Sequence, residues 1–178
     1  MTVARAVWNR IESRDLSVMR RVNRWSAPRW FRGVMIASTR MGDGWLWYAT
    51  GGGVLLWGGS ERFVAVGSAG LAVLSGIVLF LILKRVSHRK RPCEFEPHCW
   101  ASILPPDQFS FPSGHSITAF AIATCLGAFY PMLLAGLLLM AVTIAASRIV
   151  LGMHFLSDVI AGSAIGVLLG FCFLHLFA

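Results

Sequence analysis

Apolar runs separated by short polar breaks organise the chain from residue 44 onward. Residues 44–59 form a short apolar run and predict a first membrane span. Their triplet Gly51-Gly52-Gly53 lowers helix propensity and permits close helix contact. Ser60-Glu61-Arg62 reads as a tight polar turn. Residues 63–83 follow without a charge. At about 1.5 Å per residue, a helix of that length crosses a hydrocarbon core of ~30 Å. Residues 84–111 are the longest polar stretch. Three more apolar runs close the chain at 113–130, 132–150 and 155–177, and Pro131 separates the first two. In the last run Gly162, Gly166 and Gly170 recur every fourth residue, the spacing of a close-packed helix face.

Residues 1–43 differ. Apolar Trp8, Ile11, Met19, Trp25, Trp30 and Phe31 alternate with Arg5, Arg10, Arg14, Arg20, Arg21, Arg24, Arg29, Arg32 and Arg40. No run there is long and clean enough to span a bilayer. Two readings stand: helices lying at the interface with arginines toward lipid phosphates, or a covering helix on the membrane domain. The fold expected is an all-α polytopic membrane helix bundle with about five transmembrane helices plus N-terminal interfacial amphipathic helices. Its parts are a basic segment, 1–43, and a transmembrane domain, 44–178.

Composition sharpens this picture. The chain has 178 residues, 56% hydrophobic and 13% charged, which excludes an ordinary soluble domain. A net charge of +8 would fit a nucleic-acid partner, but the apolar runs argue against one. Basic residues in such a chain set topology and touch anionic headgroups. The first 30 residues lack an apolar core segment, so no cleavable signal peptide is expected. Cys125 and Cys172 lie in apolar runs and read as packing residues. Cys93 and Cys99 share a polar loop, either as a disulfide or as free thiols. A zinc site with His98 is disfavoured because the spacing matches no common zinc pattern.

Following the runs through a bilayer brings the end of the second, the start of the third, the end of the fourth and the start of the fifth to one face. Three polar clusters meet there. The first is Lys84-Arg85-Val86-Ser87-His88-Arg89-Lys90-Arg91-Pro92. By itself it reads more readily as a topogenic flank. The second is Phe111-Pro112-Ser113-Gly114-His115. Ser113 fits a helix N-cap, and helix N-termini bind phosphate through free N–H groups and the dipole. By itself this is also an ordinary cap with an incidental histidine.

The third cluster is Ser147-Arg148 through His154 to Asp158. Ionisable groups in apolar surroundings are costly and point to function. His154 and Asp158, four apart, share a face if they lie on one helix. The carboxylate can then fix one imidazole nitrogen and leave the other as nucleophile. Arg148 can neutralise an anion beside them. A His/Asp pair is also half a metal site, but no further carboxylates or histidines on this face complete one.

Together the clusters match K-x6-RP, PSGH and SR-x5-H-x3-D, and the chain resembles the type 2 phosphatidic acid phosphatase family. The resemblance covers 84–158 by motif and 44–177 by architecture, and is strongest toward bacterial polyprenyl (undecaprenyl-diphosphatase-like) and lipid phosphatases. It implies that His154 attacks phosphorus, Asp158 orients His154, and His115 protonates the leaving group and later activates water. It implies that Lys84, Arg91 and Arg148 hold the equatorial oxygens, assisted by Ser113 and the Gly114 N–H. Three cations make a divalent metal unnecessary, and no cofactor is expected. The implied substrate is a membrane lipid phosphate: phosphatidic acid, phosphatidylglycerophosphate, a lipid A phosphate or a polyprenyl diphosphate. The motifs do not separate these, and they leave oligomeric state open.

Family members commonly have six spans, and this chain shows five, with 1–43 in place of the first. The implied location is a bacterial inner membrane. Nine N-terminal arginines favour the cytoplasmic face for the site, whereas family habit favours the exterior. A lipid phosphotransferase on the same scaffold is an alternative. A non-enzymatic lipid-binding protein is disfavoured by the intact motifs, and a vanadium haloperoxidase by the spans.

Overall fold

The computed structural model describes residues 3–95 and 108–177. Cys99 and His98 lie outside the described residues. Among the described residues the fold is all-helical, with one isolated bridge between Lys90 and Phe109. The helices are α1 (Val3–Asn23), α2 (Arg29–Met41), α3 (Trp45–Trp57), α4 (Arg62–Ser87), the short α5 (Pro92–Phe95), α6 (Gly114–Phe129), α7 (Pro131–Val150) and α8 (Leu156–Phe177).

The five apolar runs become α3, α4, α6, α7 and α8. Among the described residues, three helical segments are long and apolar enough to cross a membrane: 59–87, α7 and α8. The α6 helix has 16 residues and α3 only 13. At about 1.5 Å per residue, α3 falls well short of the hydrocarbon thickness. The helix ends follow local chemistry. Pro131 occupies the first turn of α7, where its missing N–H is not needed. His88, in the left-handed region at φ 45°, ends α4, and its N–H returns to the Lys84 carbonyl.

The central element is α6, packed against α4, α7 and α8. Its Ala119, Ala121, Ala123, Cys125 and Leu126 are buried. Small side chains on α6 meet glycines on α8. A Cβ at Gly162 would come within 2.6 Å of the Ser113 carbonyl oxygen, one at Gly166 would strike the Ile117 carbonyl, and one at Gly170 would sit 2.6 Å from Thr124. The four-residue glycine repeat is therefore a packing face, as its spacing predicts. This close approach also sets the start of α6 beside the start of α8, where the Ser113 N–H donates to the Asp158 carbonyl at 3.1 Å.

The triplet Gly51-Gly52-Gly53 behaves differently from expectation. A Cβ at any of the three would meet nothing within 4 Å. These glycines do not mark a tight helix contact; Gly51 and Gly52 instead line an apolar groove between α3 and α4.

The N-terminal helices pack on the bundle, α2 against α7 and α1 against α8 and α7. Met35 of α2 is buried with Leu151 and Met153, which follow α7. Both α1 and α2 therefore make contact with the bundle.

Candidate active site

The α7 helix stops at Val150, and Gly152, at φ 67°, turns the chain. The Met153 and His154 N–H groups both donate to the Arg148 carbonyl, at 3.0 and 3.1 Å. His154 thus stands in a tight loop before α8 rather than on a helix, which corrects the expectation of one shared helix face. The spacing still brings the pair together, with His154 Nδ1 3.7 Å from Asp158 Oδ2. That is beyond hydrogen-bonding distance, and Nδ1 has no other partner among the described residues. Burial pushes the His154 pKa from 6.5 down to about 4. Arg148 and Arg91 push the same way, and Asp158 pulls against them. The imidazole is therefore neutral at pH 7, with a lone pair available to attack.

Asp158 is fully buried in the first turn of α8. Its Oδ2 accepts the Phe155 N–H at 2.9 Å, the backward reach of a carboxylate at the third helical position. Its Oδ1 accepts from Arg89 at 2.5 Å. The positive end of the α8 dipole adds to this support.

Six of the eight residues singled out from sequence line one cavity of about 330 Å³: Lys84, Arg91, Gly114, His115, Arg148 and His154. Lys84 comes from the end of α4, Arg91 from the following loop, Gly114 and His115 from the start of α6, and Arg148 from the last turn of α7. All three cations are buried, with Arg91 only 2% exposed. Arg91 Nη1 donates to the Met153 carbonyl at 2.6 Å and lies 3.5 Å from His154 Nε2. Arg148 Nη1 donates to Thr39 Oγ1 at 2.6 Å. The Lys84 ammonium sits 4.2 Å from the centre of the Phe80 ring. With Nδ1 toward Asp158 and Nε2 beside Arg91, Nε2 is the atom presented toward the cations. Buried cations gathered around a neutral imidazole suit a phosphoryl group, whose charge spreads over its equatorial oxygens.

The other two residues stand behind the cavity wall. Asp158 backs His154. Ser113 caps α6 as expected, accepting the Ser116 N–H at 3.4 Å and the Ser116 hydroxyl at 2.9 Å. Its side chain is fully buried and does not line the cavity. Its oxygen serves the helix end, and Gly114 lies at the cavity wall.

The structure adds four residues that the motifs do not contain. Asp15 of α1 is 3% exposed and accepts from the Ser157 N–H at 3.0 Å and from Arg89 Nη2 at 2.6 Å. Arg89 therefore spans two carboxylates, Asp15 and Asp158, with the Phe155 ring 4.5 Å away. Thr39 and Asp43, at the end of α2, meet Arg148 and His115. In the sequence Asp15 is one of two acids among arginines and Asp43 an acid between two glycines, and neither pattern marks a site residue.

Comparison with known proteins agrees with this geometry. Residues 65–178 match the PAP2 superfamily. The chain is 34% identical to a lipid A 1-phosphatase of Rhizobium etli over 114 residues, 62% of this chain and 46% of that protein. It thus spans about half the length of that relative. It is 35% identical to a decaprenylphosphoryl-5-phosphoribose phosphatase of Mycobacterium tuberculosis over 130 residues, 71% of this chain and 68% of that one. The crystal structure of Aquifex aeolicus LpxE superposes with a TM-score of 0.77 at 28% identity, over 90% of this chain and 94% of that one. With the apolar helices, the three joined motifs and these matches, the chain belongs to the PAP2 superfamily and is a membrane protein.

Proposed function

We propose that the protein is a membrane lipid phosphatase that hydrolyses a lipid phosphomonoester or diphosphate through a phosphohistidine intermediate. The observation that carries this is the meeting of His154, backed by Asp158, with Lys84, Arg91 and Arg148 around one cavity. His154 Nε2 attacks phosphorus, and Asp158 steadies the ring from the Nδ1 side. The three cations and the Gly114 N–H hold the equatorial oxygens. His115 gives its proton to the leaving oxygen, then takes one from the water that cleaves the N–P bond. The catalytic force is electrostatic and positional.

A lipid is favoured because the cavity adjoins the α3–α4 groove. The two share Gly42, Asp43, Ile77 and Thr118, and the groove adds about 540 Å³ lined by Trp47, Leu55, Val73 and Ile122. A head phosphate fits the charged end while an acyl or prenyl chain lies in the apolar end. Lipid A, decaprenylphosphoryl and phosphatidylglycerophosphate substrates all have this form. Residues 1–43 belong to the catalytic unit in this reading, because Asp15, Thr39 and Asp43 reach the site.

Phosphate release by purified protein across a panel of these lipids tests the proposal. Release is expected from at least one lipid, and it should persist in excess EDTA because three fixed cations supply the charge. Failure on every lipid would refute the phosphatase reading. Complete loss on chelation would refute the metal-free mechanism.

For the membrane, we favour a bacterial inner membrane with the site on the cytoplasmic face. Nine of sixteen Lys and Arg residues lie in 1–43, which pack on the site side, and Arg62 lies at the opposite end. In a background without other cysteines, Ser102→Cys should resist an impermeant maleimide in intact cells. Ready labelling would reverse the assignment.

A further inference from the structure

The mechanism above uses His115 but leaves open what holds it. Nε2 of His115 lies 2.8 Å from Oδ1 of Asp43, across a sequence separation of 72 residues. A carboxylate oxygen only accepts, so Nε2 carries the proton in this pair. The approach is built into the backbone. A Cβ on Gly42 would sit 2.7 Å from His115 Cδ2 and 2.8 Å from Ile144 Cγ2, so the end of α2 reaches the imidazole only with glycine there. Gly44, at φ 130°, then turns the chain into α3, a conformation that L side chains rarely adopt. Asp43 is the residue that this Gly-Asp-Gly turn presents to the cavity. Its other oxygen lies 3.4 Å from Arg40 Nη1, on an arginine that is 65% exposed.

Stability is a poor explanation for the contact. The Asp43 side chain is 39% exposed and His115 22%, and pairs of that kind contribute about 0–1 kcal/mol. Orientation is a better one. An imidazole that exchanges a proton in a transition state must present one chosen nitrogen, and a carboxylate on the other nitrogen fixes the choice.

We propose that Asp43 is a positioning residue for the leaving-group acid, so that the site holds two His/Asp pairs: His154 with Asp158 for attack, and His115 with Asp43 for proton transfer. The inference rests on the phosphatase reading. With Nε2–H held by Asp43, the proton that moves is one on Nδ1, which His115 carries once the substrate's anionic phosphoryl group sits beside it. As the His154 Nε2–P bond forms, the P–O bond to the lipid breaks, and the leaving oxygen takes the Nδ1 proton. Neutral His115 then takes a proton at Nδ1 from water, whose oxygen attacks phosphorus as the N–P bond breaks. Inorganic phosphate leaves, and both imidazoles return to their starting states.

The test compares leaving groups. An alkyl lipid phosphate expels a basic alkoxide and needs the acid, whereas p-nitrophenyl phosphate expels a weakly basic phenolate and needs it little. Asp43→Asn should lower kcat/KM on the alkyl substrate by about 10–100-fold, part of what general acid catalysis supplies. On the aryl substrate it should lower kcat/KM, which reports only steps up to leaving-group departure, by less than about threefold, because the transition state there needs little proton transfer. Asp43→Glu should recover part of the alkyl activity, and His115→Ala should show a larger split in the same direction. The aryl rate also reports that each variant is folded. Equal losses on both substrates, no loss on either, or a gain in activity would overturn the proposal. Failure of wild-type protein on both substrates would remove the phosphatase reading and this inference with it.

Discussion

Replacing His154 with alanine is expected to abolish phosphate release, with kcat falling on the order of 10⁵-fold, as when a nucleophile acting in a catalytic unit is removed. The size follows from the division of work in the site. The cations can still bind the phosphoryl group, so KM should change far less than kcat. The other histidine lining the cavity, His115, has its Nε2 against Asp43 and is assigned to proton transfer, so it does not stand in for the nucleophile. Folding should survive, because His154 Nδ1 makes no hydrogen bond among the described residues. Asp158 keeps its bonds from Arg89 and from the Phe155 N–H. The check is rapid-quench labelling with ³²P-lipid. Wild-type protein should show a transient acid-labile, alkali-stable phosphoenzyme, and His154→Ala none. A variant within tenfold of wild-type turnover, or one still labelled, would rule out His154 as the attacking group.

What the sequence could reveal about this site depends on how far apart the partners lie. The five apolar runs were legible because a spanning helix must be apolar along its length, and each run became a helix. The cavity cations were legible because Lys84 and Arg148 sit at the ends of such runs and Arg91 in the loop just beyond one, and the order of crossings puts those ends together. The loop at His154 was half legible. Gly152 is a stop signal for α7, but the apolar residues on both sides conceal it, and only the backbone shows the turn at φ 67°. Asp15 and Asp43 were not legible. Each pairs with a residue 72 or more positions away, and nothing in a basic amphipathic stretch distinguishes an acid that will be buried against Arg89 from one that stays in water. The glycine triplet at 51–53 misled for a related reason: a glycine's spacing shows where a backbone can approach, and the partner lies elsewhere in the chain.

Changing Arg91 to lysine keeps the charge and should still lower kcat/KM by about 10²–10³-fold, the cost of losing an oriented donor to a transition-state oxygen. Arg91 does two things at once. One guanidinium nitrogen donates to the Met153 carbonyl at 2.6 Å, fixing the loop that carries His154. The same nitrogen lies 3.5 Å from His154 Nε2, beside the position that the phosphoryl group must take. A planar fork can brace the loop and face the phosphate together, whereas a single ammonium must choose. At 2% exposure no water shell can substitute for the lost contact. Lys84→Arg is the contrasting change, because the Lys84 ammonium packs on the Phe80 ring as a point charge. It should lower kcat/KM by about tenfold or less, since the cation remains and only its reach changes. Steady-state kinetics on one lipid, with inorganic phosphate as a competitive inhibitor, separates the two. Arg91→Lys should weaken phosphate binding and also slow phosphohistidine formation, and Lys84→Arg should mainly affect binding. If Arg91→Lys turned over at the wild-type rate, the guanidinium would be a charge alone, and the loop holding His154 would owe its position to the two backbone bonds onto the Arg148 carbonyl.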